Sequence, residues 1–122
     1  MNTMLWTSQL LLAAAFLYSG INKTLLSEQQ LIARGQTGVA GYSAGAIRFI
    51  GVSEILGSIG LILPWWTGIM PLLTPVAAAC FAVIMLMAAP IHMRLKEKRN
   101  VATNLVLLGL SLFVALERGL QL

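Results

Sequence analysis

Ile47-Arg-Phe-Ile-Gly-Val-Ser-Glu-Ile-Leu-Gly-Ser-Ile-Gly-Leu-Ile-Leu-Pro64 decides how this chain is read. It is apolar over a length that nearly crosses a bilayer, yet it carries Glu54 well inside its start. A charge at the centre of a membrane helix costs roughly 2.5–3.5 kcal/mol on insertion scales, so it normally faces a bundle interior and finds a partner. At 100° per residue, Phe49, Val52, Ile55, Leu56, Ile59, Ile62 and Leu63 share one broad helix face. Gly51, Ser53, Glu54, Gly57, Ser58 and Gly60 share the other. The bulky face suits lipid, and the small one lets neighbouring backbones approach around the carboxylate.

Composition extends that reading to the whole chain. Of 122 residues, 58% are hydrophobic and only 10% charged, which argues against a soluble globular domain and for one membrane unit over 1–122. The expected fold is all-α, a four-helix transmembrane bundle with helices at about 4–22, 46–64, 70–92 and 101–120. A short interfacial helix should lie between the first two spans. There Leu25, Leu26, Leu31 and Ile32 alternate with polar residues, and Ser27 with Gln30 has capping-box spacing. The first span lacks the basic leader and small-residue cleavage site of a signal peptide. Trp6, Trp65 and Trp66 suit the headgroup belt.

The net charge of +4 does not point to nucleic acid, because no basic patch is interleaved with aromatics. The bilayer itself is the first expected partner, with other membrane proteins or further copies of the chain as the next. Lys23, Arg34, Arg48, Arg94, Lys96, Lys98 and Arg99 fall on one side of the spans, and only Arg118 on the other. The positive-inside rule then places both termini outside a bacterial inner membrane. The single Cys80 excludes dithiol chemistry within the chain and reads as a small buried hydrophobe. One His, one Cys and scattered carboxylates offer no metal-ligand spacing.

Polar residues recur at helical spacing along every span. Gln9, Ala13, Phe16, Gly20 and Lys23 form a stripe on the first span. Thr74, Ala78, Phe81, Met85, Ala88 and His92 form one on the third, and Asn104, Leu108, Ser111, Ala115 and Arg118 one on the fourth. Turned inward, they would line a pocket with Lys23, Arg48, Glu54, Ser58, Met85, His92, Asn104 and Ser111. Lys23 and His92 are the better partners for Glu54, since Arg48 lies about 120° around the helix from it and suits snorkelling. Two readings stay open. Glu54 locks the register of the bundle, or Glu54 and His92 exchange protons with a small molecule held in the pocket.

The same residues resemble a known family. Gly20-x-x-Lys23 closes the first span, and Arg48 precedes Glu54-x-x-Gly57-x-x-Gly60-Leu-x-Leu-Pro64. Thr74-Pro75 opens an Ala-rich third span, His92 is followed by charges, and Asn104 opens the fourth. In that order and spacing they resemble the DoxX-like family of small integral membrane proteins. The resemblance implies a four-helix bundle and a mixed set of roles, from subunits of a thiosulfate:quinone oxidoreductase to accessory components and receptor-assembly chaperones. For this chain the expectation is an accessory or scaffold subunit of a membrane complex. The alternative is a quinone-binding component of a membrane oxidoreductase. A transporter is less favoured, because four short helices enclose little volume.

Overall fold

The computed structural model describes residues 2–122. Its long helices are α1 (Asn2–Leu25), α3 (Ala44–Thr67), α4 (Leu73–Arg94) and α5 (Lys98–Leu120). Each is long and apolar enough to cross a membrane. A short helix α2 (Glu28–Ala33) and a 3-10 turn (Thr37–Val39) make up the connector between the first two spans. The architecture is the expected all-α bundle with a short helix after the first span.

Local signals start and stop these helices. Ser27 accepts from Gln30 N at 3.2 Å while the Gln30 side chain accepts from Ser27 N at 3.0 Å, closing the capping box of α2. Ser43 caps α3 through Ala46 N at 3.2 Å, and Gly68 ends it in the left-handed conformation with φ 74°. Pro64 does not end that span, contrary to the expected boundary, and the helix runs on to Thr67. Proline removes the N–H that would bond the Gly60 carbonyl. Thr74 of α4 takes that role, its hydroxyl donating to Gly60 O at 2.9 Å. The third span begins at Leu73 rather than near Met70, because Met70 sits at φ 50° in the turn after Gly68.

Lipid offers no hydrophobic drive for helix association, so close backbone approach and polar cross-links must hold the bundle. The small face of α3 supplies the approach. A Cβ on Gly20 would lie 2.7 Å from Gly51 O, so α1 and α3 cross backbone to backbone. A Cβ on Gly57 would lie 2.6 Å from the Phe81 ring, which stacks on Phe16 at 3.8 Å between centroids. Phe49, Val52, Leu56, Ile59 and Leu63 on the bulky face are exposed, as a lipid-facing surface should be. Cys80 is also exposed rather than buried, a correction to its reading as a core residue. It lies off the inward stripe of α4, and the lipid-facing side accepts a small thiol as readily as the core does.

α1 packs most extensively on α3, and α4 on α5. The connector is pinned by a small apolar cluster of Leu31, Val39 and Ile47, with Leu26 and Tyr42 against it. It therefore lies across one end of the bundle, at the same end as the α4–α5 turn.

Candidate functional site

The inward stripes converge on two polar centres, one near each end of the bundle. At the connector end Glu54 is fully buried, and Lys23 Nζ lies 2.8 Å from its Oε1. Ser19 donates to the same oxygen at 3.3 Å, while Oε2 is buried with no partner among the described residues. Lys23 is thus the cation that Glu54 requires. A carboxylate this deep is tolerable because the α1–α3 crossing, made close by Gly20 and Gly51, brings the ammonium to it.

Next to this pair lies a cavity of about 190 Å³. Ser19, Lys23, His92, Asn100 and Asn104 are among its polar lining, and Val39, Tyr42, Ile84, Met85 and Leu107 among its apolar lining. The connector residues Gly35, Gln36, Gly38 and Val39 cover it from the membrane surface side. Drug-sized ligands use pockets of roughly 300–1,000 Å³, so this one is small beside them.

Four of the residues expected to line a pocket do line this one: Lys23, Met85, His92 and Asn104. Asn104 is fixed by donating to Met85 O at 2.9 Å, which ties α5 to α4. Glu54 stands behind Lys23 and Ser19, outside the lining itself. Arg48, Ser58 and Ser111 lie elsewhere. Arg48 is exposed beside Ser27 and Glu28, as its angular offset from Glu54 implies. Ser58 sits one turn further into the bundle and donates to the Glu54 carbonyl at 2.7 Å. Ser111 is buried, its hydroxyl without a partner among the described residues.

His92 does not pair with Glu54. Its Nδ1 lies 3.1 Å from Glu97 Oε1 and 3.2 Å from the Thr37 hydroxyl, which itself donates to Glu97 at 2.5 Å. Asn100 Nδ2 reaches Thr37 Oγ1 and Gly35 O, each at 3.4 Å. This cluster joins the connector to the ends of α4 and α5 and forms the rim of the cavity. The Thr37 hydroxyl, and after it the His92 ring, hold the Glu97 carboxyl below its ordinary pKa. Sequence reasoning missed Thr37 and Glu97. A carboxylate five positions after His92 in a tight turn was a usable signal, whereas nothing local marks Thr37.

The second centre is built on Arg118, which is 1% exposed. Its Nε donates to Gln9 Oε1 at 2.8 Å and its Nη1 to Gln121 Oε1 at 2.7 Å. The guanidinium lies over Trp65 at 4.6 Å and Trp6 at 5.5 Å. Gln9 in turn donates to Leu61 O at 2.6 Å, so α1, α3 and α5 are joined there.

The inward stripe of α1, the Glu54 face of α3 and the opening of α5 now have defined places in one bundle. A family model described as the DoxX-like family matches residues 7–114, all but the two ends of the chain. The chain belongs to the DoxX-like family. Its matched region includes the whole cavity, the Lys23–Glu54 pair and the His92–Glu97 cluster. Comparison with curated proteins finds no match, and comparison with solved structures finds none. The family membership supports a small multi-pass membrane protein, and the chemistry of the site must be argued from its own residues.

Proposed function

We propose that this protein is a component of a membrane oxidoreductase that holds a quinone head group in the cavity beside Lys23 and His92. The observation carrying this reading is the mixed lining. An ammonium, an imidazole and amide side chains meet an apolar wall of Ile84, Met85 and Leu107 at the connector end of the bundle. A quinone head needs that combination, because its ring is apolar and its two oxygens are polar. Lys23 donates to a carbonyl oxygen, while Glu54, 2.8 Å from its Nζ, holds the lysine side chain beside the site. The chain supplies no redox centre of its own in this reading, so electrons pass to or from another subunit. The basic connector and the α4–α5 turn face the cytoplasm, following the distribution of Lys and Arg.

A second reading is a scaffold subunit with no ligand of its own. It is favoured by how fully Lys23 and Glu54 serve as a cross-link between α1 and α3 at 2.8 Å, which is what a register lock would do. Native mass spectrometry after gentle extraction from the membrane separates the two. The first reading expects a retained quinone in the wild type and its loss in a folded Glu54→Gln variant. Stoichiometric partner chains with no small molecule in either protein would overturn it in favour of the scaffold.

A further inference from the structure

The His92 ring has two edges with different surroundings. Its Nδ1 edge is engaged by Glu97 and Thr37. The other edge lies beside Gly38 and Ala88, both of which line the cavity. A Cβ on Gly38 would stand 3.2 Å from His92 Nε2 and 3.4 Å from the Ala88 methyl, so the missing side chain at 38 leaves room there. No hydrogen bond to Nε2 is made among the described residues.

The partners on the Nδ1 edge fix where the proton sits. An ionised carboxylate only accepts, and the Thr37 hydroxyl spends its single proton on Glu97. Both therefore require Nδ1 to donate. In the neutral ring that leaves Nε2 with a lone pair on the cavity side. Lys23, in contrast, is a pure donor on the same lining. The pocket consequently offers one strong donor and one strong acceptor.

We infer that Thr37 and Glu97 are positioning residues that hold the His92 proton on Nδ1, so that Nε2 accepts a hydrogen bond from a ligand hydroxyl and the cavity prefers a hydroquinone to its quinone. A hydroquinone satisfies both groups, donating one hydroxyl to Nε2 and accepting from Lys23 through its other oxygen. A quinone has only acceptors, and its carbonyl would meet the Nε2 lone pair unfavourably. The preference rests on the head-group reading above. The position of the proton stands without it.

Two measurements test these statements separately. The chain contains one histidine, so ¹⁵N-histidine labelling gives a single-site spectrum. At an alkaline pH where the spectrum itself shows the ring neutral, the wild type should carry the remaining ring proton on Nδ1. Glu97→Gln and Thr37→Val should shift the population toward the other tautomer. A wild-type ring protonated on Nε2 would overturn the positioning role without any variant being needed.

The second measurement is binding of tetramethylhydroquinone, kept reduced under argon, against tetramethylbenzoquinone. One hydrogen bond gained and one repulsion avoided correspond to roughly tenfold tighter binding of the hydroquinone. His92→Phe should erase that ratio. Gly38→Ala, which fills the space at Nε2, should reduce it while leaving the tautomer unchanged. Equal binding of both probes to the wild type overturns the preference alone. Binding of neither overturns the head-group reading with it.

Discussion

The two polar centres solve the same problem, a buried cation in an apolar bundle, in different ways. Lys23 meets a carboxylate at 2.8 Å and borders an open cavity. Arg118 has no carboxylate among its hydrogen-bond partners and is held by neutral oxygens of Gln9, Gln121 and Asn2 between two tryptophan rings. The chemistry of the two side chains explains the contrast. A guanidinium is planar, weakly hydrated and able to stack, so amide oxygens and aromatic faces can hold it near a headgroup belt. An ammonium is a compact, strongly hydrated charge, and a buried Glu54 needs a full counter-charge. One end of the molecule consequently borders a cavity. The other is arranged to fasten helices together, with Trp65 and Trp6 anchoring that end at the interface.

The sharpest way to break this contrast is to remove each cation in turn. Lys23→Met leaves Glu54 buried without a counter-charge, and loss of one member of a buried pair costs about 3–5 kcal/mol. Adding Glu54→Leu to Lys23→Met should recover most of that loss, since an apolar pair of similar volume is close to neutral. Denaturant unfolding in mild detergent, followed by tryptophan fluorescence, measures both. If the single and double variants unfold together, the ion pair carries no energetic weight in the bundle.

Arg118→Met should cost less. It strands the oxygens of Gln9 and Gln121 without leaving a charge behind, a penalty of about 1–3 kcal/mol. The double substitution of Arg118→Met with Gln9→Leu should not recover it fully, because Gln9 also bonds Leu61 O at 2.6 Å. Arg118→Met should leave quinone retention unchanged, whereas Lys23→Met combined with Glu54→Leu should abolish it. A loss of ligand on Arg118→Met would erase the functional distinction between the two ends.

Much of this arrangement was legible in the sequence because membrane helices report their faces by period. The split of residues 47–64 into bulky and small faces placed Glu54 inside, and the stripes of the first and third spans offered Lys23 and His92 as its partners, of which only Lys23 reaches it. Gln9 and Arg118 also lay on inward stripes, but nothing in the spacing joined them. Their meeting depends on α1 and α5 starting and ending at the same membrane surface. Pro64 misled because a local rule says that proline ends a helix. The compensating Thr74 hydroxyl belongs to another helix and cannot be seen from the turn itself. Thr37 and Glu97 were hidden for a related reason, since a connector rich in glycine has no period from which a contact across the bundle could be read. Family resemblance conveyed the bundle and left the chemistry open.

The smallest expected effect concerns the rim that covers the cavity. Glu97 has a folded-state pKa below its unfolded value because it accepts from Thr37 and His92. Its contribution to holding the connector is therefore complete above the unfolded carboxylate value of about 4.3. It is lost as pH falls through the lower folded value, so stability rises with pH across that window. The Glu97 side chain is partly open to solvent, which keeps the effect modest. Carboxyl ¹³C NMR of Glu97, with the Thr37 methyl resonance as a reporter of the connector, should show both signals moving together on the acid side of an ordinary glutamate titration. In Glu97→Gln the Thr37 signal should lose that dependence. A Glu97 midpoint at or above the ordinary value would mean that the hydroxyl and ring do not hold the carboxylate, leaving the connector to the packing of Leu31 and Val39 on Ile47. The contrast between the ends would sharpen in that case, with the Arg118 end fastened by hydrogen bonds and the cavity end covered by apolar packing of the connector.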